Sequence, residues 1–380
     1  MPIHSRLLRY TRKAAYSAGL IDRGCAALAR EVAALIDAQA PALLASSNLP
    51  GLSMLVTLAD GSTVERCFGV ADAATRAPMT PDTVFQVMSI SKPVTAFGVI
   101  RLAEMGMVDL DAPVSTYLRS WTLPPDRRHD HDFDGVTLRR ILSHTAGLNV
   151  HGFLWAPPDA PPPTTVELLD GIEGPDFVLR LIHPPGERLH YSGGGYTLVQ
   201  LIIEDVTGAP FAEFARKEVL APLGMTSSSF VETSAIRERL AARHDAHGQP
   251  LPPALCAAHA PTGLYSTPRD LTKLWTAMFT GPHSEPPGRG VITPHAAREM
   301  TRPHTDPTAK RVTGLGFFLW PKRSDTIFSH SGFKQGWWSE VDGLLKRRCV
   351  IAACANADAG EACVKSLCTN LRQLLLDRAL

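Results

Sequence analysis

The sequence predicts an α/β (α+β) fold: an antiparallel sheet flanked by helices, with an all-helical region inserted into it. Three observations carry this. Strand-type runs gather near residues 52–70 and again near 314–355. The long middle shows three-to-four spacing of apolar residues interrupted by Pro-rich stretches. Helical patterns stand outside both strand groups, so the strands from the two chain ends are expected to form one sheet. At 380 residues the chain is long for one compact core, which fits a core with a large insertion.

The elements follow in order. Residues 1–22 read as a basic N-terminal extension, and 23–380 as a single domain. Its α/β part covers about 23–106 and 256–380, and the helical insertion about 107–255. Arg23 to Ala45 is a helix through Leu28, Val32, Leu35 and Ile36. Pro50-Gly51 ends it. Leu52–Leu58 and Thr63–Val70 are strands joined at Asp60-Gly61, a strong hairpin signal. Ser89–Met105 is a helix with Ala96, Val99, Ile100 and Ala103 inward, stopped by Gly106.

Leu110–Asp134 reads as an exposed connection, Val136–Leu142 as the start of a helix, and 156–164 as a Pro-rich loop. Tyr196–Thr207 and Phe211–Val219 are helices. Ala235–Pro261 reads as irregular. Thr267-Pro268-Arg269-Asp270 is a capping box opening the helix Leu271–Phe279. Gly314–Leu319, Thr326–His330, Trp337–Val341 and Cys349–Ala355 are strands, and Leu367–Leu380 closes the chain as a helix.

Composition narrows the function classes. Hydrophobic residues make up 44% and charged residues 20%, with a formal net charge of +1. This leaves no basic footprint for nucleic acid, and Lys346-Arg347-Arg348 reads as a solvated loop. No run of about 18 apolar residues exists, so no membrane span is expected. The N-terminus lacks an apolar signal core, so the chain reads as cytoplasmic. The seven cysteines (Cys25, Cys67, Cys256, Cys349, Cys354, Cys363, Cys368) show neither C-x-x-C nor zinc spacing. Reduced thiols are the simplest account, with one disulfide left open. His129, Asp130, His131, Asp132 and Asp134 have metal-ligand chemistry but no supporting pattern, and read as a solvated loop. No metal and no organic cofactor are expected.

The sharpest local signal is Ser89-Ile90-Ser91-Lys92. A Ser and a Lys three apart lie on one helical face. A helix N-terminus favours an alkoxide-like oxygen there, and a desolvated lysine can accept its proton. Alone, this spacing reads as a helix cap followed by a surface lysine. Two further segments change that. Tyr191-Ser192-Gly193-Gly194-Gly195 puts a tyrosine and three glycines before a helix, where backbone can approach a ligand or another loop closely. It lacks the sequence context of a phosphate cradle. His330-Ser331-Gly332-Phe333 sits on an expected strand whose backbone N–H could serve an oxyanion.

Together these segments resemble the serine β-lactamase and penicillin-binding-protein superfamily, nearest to class C β-lactamase-like hydrolases of the esterase and D-aminopeptidase type. The family's S-x-x-K, Tyr-x-Asn and Lys-Thr-Gly or His-x-Gly motifs occur in the same order. Leu142–Leu148, Leu220–Met225 and Gly263–Leu271 look like the family too, so the resemblance spans roughly 25–375. It implies the β-lactamase/transpeptidase-like fold. It also implies Ser89 as nucleophile, Lys92 and Tyr191 as proton carriers, the N–H groups of Ser89 and Phe333 as oxyanion hole, and His330, Gly332 and Gly193 lining the substrate.

This sequence departs from the family pattern at Gly193, where the motif has Asn. The missing side chain is expected to open space beside Lys92. His330 stands where most true β-lactamases carry Lys, and recognises a carboxylate less reliably at neutral pH. The expectation is therefore hydrolysis of a small ester or amide rather than of penicillin. An acyltransferase or cyclising enzyme of natural-product assembly, acting on a thioester with a carrier protein as partner, stays open, as does a catalytically silent binding protein. Oligomeric state is not legible. His144 reads as structural, and at most one of Trp337 and Trp338 is expected to reach the site.

Overall fold

A computed structural model describes residues 20–124, 133–154, 161–253, 257–322 and 324–378. Residues 1–19, His129, Asp130, His131, Asp132, Cys256 and part of the Pro-rich loop lie outside them.

The first helix, α1 (Leu20–Ser47), leads to β1 (Gly51–Thr57) and β2 (Thr63–Asp72). They pair antiparallel through the expected turn, where Gly61 has φ +85° and its N–H bonds the Leu58 carbonyl at 2.9 Å. Two short strands, β3 (Ala77–Pro78) and β4 (Phe85–Gln86), precede α2 (Ser91–Glu104). The helical stretch holds α3 (Leu138–Leu142), α4 (Thr165–Leu169), α5 (Gly193–Thr207), α6 (Phe211–Ala215) and α7 (Ser234–Arg237). Among its described residues, 107–255 contains no strand of two or more residues.

The chain then forms α8 (His259–Thr262), β5 (Tyr265–Ser266), α9 (Pro268–Thr276) and α10 (Pro294–Met300). It ends in β6 (Val312–Thr313), β7 (Phe318–Pro321), β8 (Thr326–Lys334), β9 (Trp337–Leu344), β10 (Cys349–Ala355) and α11 (Gly360–Asp377).

Eight strands make one antiparallel sheet in the order β3-β2-β1-β10-β9-β8-β7-β6. Strands from the two chain ends meet at its centre, with Leu52 opposite Ala355 and Thr57 opposite Val350. α1 and α11 cover one face through Leu28, Val32, Ile36, Leu367, Leu371 and Leu375. The other face packs on α2, α9 and the helical stretch. Ser91 to Ile100 are all buried. α2 is therefore an interior helix between two layers, rather than an amphipathic surface helix.

Several boundaries differ from the sequence reading. The segment expected to be one helix from Ser89 begins with a 3₁₀ turn, Met88–Ile90, before α2 starts. The expected strand Gly314–Leu319 is instead a turn between β6 and the start of β7, because Gly314 N–H bonds Phe317 O and Gly316, at φ +84°, lets the turn dock on α2. A Cβ at 316 would lie 2.7 Å from that of Ala96. Ala235–Pro261, expected to be irregular, contains α7 and the start of α8. The helix expected over Phe211–Val219 turns into a π-type turn at Arg216–Leu220.

Thr267 does cap α9, accepting from Asp270 N–H. The Asp270 carboxylate, however, serves Ser227, Ser228 and Lys273 instead of closing the box. Nor is the 346–348 cluster merely solvated. Arg347 donates to the carbonyls of Leu376 and Arg378, satisfying orphan acceptors at the C-terminus of α11. Among the described residues no helix is long and apolar enough to cross a membrane.

Candidate active site

Ser89 is partly exposed within a segment that is otherwise buried from Thr83 to Ile100. Its position is fixed on both sides. Val87 donates to Leu264 O (2.9 Å) and accepts from Ser339 Oγ (3.0 Å). Ser91 Oγ donates to Met88 O at 2.6 Å while accepting from Leu264 N–H at 2.9 Å. Met88 carries φ +51°, a left-handed conformation uncommon for a side-chain-bearing residue. That turn sends the chain from β4 into the 3₁₀ turn with Ser89 outward.

Lys92, 1% exposed, donates from Nζ to Ser89 Oγ at 3.1 Å and to Pro261 O at 3.0 Å. The ammonium position lies 4.8 Å from the Tyr191 ring and 5.6 Å from that of Tyr196, within cation–π range. The carbonyl it uses belongs to α8, held by Thr95 Oγ1 on Ala260 O and Ala260 N–H on Gln200 Oε1.

Tyr191 Oη donates to the same Ser89 Oγ at 2.9 Å. Burial raises its hydroxyl pKa far above the ordinary tyrosine range, so the phenol is protonated at neutral pH. Lys92 and Tyr191, from two separate parts of the chain, thus converge on the Ser89 oxygen.

His330 is 3% exposed on β8. Its ring lies 6.4 Å from that of Tyr191 and 5.3 Å from that of Phe318. Nδ1 meets Ser331 O at 2.8 Å and so carries the proton, which leaves Nε2 buried without a hydrogen-bond partner. Burial first, and the charge of Lys92 second, push its pKa down to about 3. The imidazole is neutral and offers no cation.

Gly332 is required where it stands: a Cβ there would lie 2.0 Å from Val87 O, so β8 touches the Ser89 segment backbone to backbone. The Phe333 side chain, 55% exposed, leans on Trp338 at 5.5 Å. Trp337 packs on Phe85 at 6.0 Å, on the Ser89 side of the sheet, while Trp338 packs with the cluster under α1 and α11.

At Gly193 a neighbouring loop comes close: a Cβ there would lie 2.8 Å from His151 O. The glycines admit that loop. Gly193 and Gly194 donate to the carbonyls of His151 (3.3 Å) and Val150 (2.9 Å), and Gly195 to the N-capping Ser192 Oγ (2.8 Å).

The sequence reading missed several site neighbours. His144, taken as structural, is buried, and its Nδ1 accepts from Ser192 N–H at 3.2 Å. Its ring also lies 4.3 Å from that of Tyr191. His151 lies 5.0 Å from the same ring. Phe318, Tyr196 and the Pro261 carbonyl complete the surroundings. A tyrosine directly after three glycines was a usable signal for Tyr196; nothing in the local sequence marks His151 or Pro261.

Among the described residues, Glu340, Asp342 and Cys368 form the one group with metal-ligand chemistry. It lies under α11, and Arg372 Nη1 already bridges its carboxylates at 2.9 and 2.6 Å.

The family profile described as Beta-lactamase matches residues 35–372. The chain belongs to the Beta-lactamase family. Within this family it is 33% identical over 234 residues to Esterase EstB of Burkholderia gladioli, covering 59% of this chain and 57% of that protein. The crystal structure of SurE superposes with a TM-score of 0.75 at 23% identity, covering 94% of this chain and 78% of the other. D-amino acid amidase from Ochrobactrum anthropi gives 0.71 at 24% identity, covering 92% and 97%. These likenesses show the β-lactamase/transpeptidase fold.

Proposed function

We propose that this chain is a serine hydrolase that cleaves a small ester or amide through an acyl-enzyme on Ser89. The observation that carries the reading is the convergence of Lys92 Nζ and Tyr191 Oη on Ser89 Oγ. Ser89 Oγ attacks the carbonyl carbon while its proton passes to Lys92 in its amine form, which hands a proton on to Tyr191 as the phenol gives up its own. Tyr191 then protonates the leaving group as the carbonyl–heteroatom bond breaks. The N–H groups of Ser89 and Phe333 hold the oxyanion; losing one such donor costs on the order of a hundredfold in rate.

The names of the relatives, an esterase and an amidase, agree with this substrate class. The neutral His330 argues against a substrate that must be held by its carboxylate, and the loop close to Gly193 against a β-lactam recognised as in true β-lactamases. The acyl donor is an ester, amide or thioester, free or borne by a carrier protein.

Intact-protein mass tests the reading. Wild type and Ser89→Ala are mixed with a fluorophosphonate, a p-nitrophenyl ester, a penicillin and an acyl thioester. A one-to-one adduct absent from the variant is expected. No adduct from any donor on folded protein would leave a silent binding protein as the better account. Product formed only after an amine or alcohol is added would make the enzyme a transferase.

A further inference from the structure

Tyr191 is walled by aromatic and imidazole rings, and most of them cannot exchange a proton at neutral pH. Burial keeps His144 and His330 neutral. His151 differs: it is exposed, and its ring stands 5.0 Å from that of Tyr191.

The loop bearing it is braced at every step. Asn149 O accepts from Ser192 Oγ, and the Asn149 side chain bonds Val178 O (2.9 Å) and Arg180 N–H (2.6 Å). Val150 sits at φ +58°, a rare conformation for a β-branched residue, and is held there by the Gly194 N–H on its carbonyl. Beyond His151, Phe153 O accepts from Lys334 at the end of β8, and Leu154 N–H bonds Glu173 at 2.7 Å. A surface histidine on a loop tied to both halves of the site is preorganised.

We propose that His151 is the acid–base group that serves the acyl acceptor during deacylation and passes protons between the site and solvent. This rests on the acyl-enzyme reading above. The acceptor oxygen of water bonds to the acyl carbon while its proton goes to the His151 imidazole. Collapse breaks the bond between the acyl carbon and Ser89 Oγ, and that oxygen takes the proton of Tyr191. Proton transfer from the imidazolium to the adjacent phenolate restores both rings.

Among the described residues, the charged and titratable groups around His151 are Lys92 on α2, His144 after α3, and His190 and Tyr191 ahead of α5. Partial burial first, then Lys92, lower its pKa below the ordinary histidine value, so it stands neutral and ready to accept a proton at pH 7.

The test uses the full-length chain, p-nitrophenyl acetate and the variant His151→Gln. A fluorophosphonate adduct on Ser89 and the initial p-nitrophenol burst should persist in the variant. Steady-state turnover should fall roughly a hundredfold, the scale of a lost general base. Added imidazole should restore part of it, and the acid limb of the wild-type pH–rate profile, lying below the ordinary histidine range, should vanish. Turnover within about twofold of wild type with an unchanged acid limb would overturn the proposal, taking a hundredfold effect as the expectation. So would loss of burst and turnover together without rescue by imidazole. A wild type that never labels at Ser89 would instead defeat the acyl-enzyme reading itself.

Discussion

Two buried polar clusters lie on opposite faces of the sheet, and each contains one cation. On the face toward the helical stretch, Lys92 and Tyr191 both donate to Ser89, a partly exposed residue. On the face under α11, Arg372 clamps Glu340 and Asp342, and Asp342 is 1% exposed. The second cluster has the more obvious electrostatics, with two carboxylates on one guanidinium and perturbed titration. Yet it is closed, and its groups are spent on each other. The first spends its donors on an oxygen that a substrate can still reach. Buried charge marks an investment of free energy; convergence on an accessible hydroxyl marks a candidate for chemistry.

The largest effect that would break this contrast is on activity. Ser89→Ala should abolish covalent labelling and lower turnover by at least ~10³-fold, in line with removal of a nucleophile. It should leave the melting temperature close to wild type. Tyr191→Phe should retain labelling by a fluorophosphonate but slow ester turnover about 10²–10⁴-fold, the range for a lost proton carrier.

The other face should behave in the opposite sense. Arg372→Met leaves two buried carboxylates unpaired and should cost about 3–5 kcal/mol in denaturant unfolding, with turnover per folded molecule unchanged. Gly193→Asn sharpens the comparison from the site side. Its Cβ must displace the His151 carbonyl, so a loss of about 1–3 kcal/mol is expected, without any gain of penicillin turnover.

The smallest effect concerns pH. Burial and then Glu340 push the Asp342 carboxyl up toward neutrality, opposed by Arg372. The folded state therefore binds more protons than the unfolded one between the ordinary carboxylate range, about pH 4, and neutrality. Stability should fall as pH rises through that window. Asp342→Asn should flatten the fall in urea melts taken across it; an unchanged slope would assign the proton elsewhere.

Much of this was legible in the chain. Asp60-Gly61 predicted the β1–β2 turn, and strand runs at both ends predicted a shared sheet. S-x-x-K, Tyr191 and the His-x-Gly segment named the residues that meet around Ser89. The rest depends on contacts distant in sequence. Pro261 O reaches Lys92 only because α8 is pinned by Thr95 and Gln200, and His151 reaches Tyr191 only because two glycines admit its loop. His244 illustrates the same limit. It sits in a stretch that reads as irregular, yet it is fully buried, with Nδ1 on Asn356 O and Nε2 accepting from Ala73 N–H. Composition cannot distinguish such a staple from a solvated loop histidine. Boundaries failed where glycine or 3₁₀ geometry broke a continuous pattern, as at Gly316 and Met88.

The register at the centre of the sheet has a consequence for synthesis. β1 leaves the ribosome early, but the strand that pairs with Leu52 to Thr57 on its inner edge is β10, near the end of the chain. Until that strand emerges, β1 and β2 form a hairpin with one apolar edge open and no sheet to join. Pairing so distant in sequence is slow, and exposes unpaired edges while it waits. The β8 strand that touches the Ser89 segment is likewise made late in synthesis.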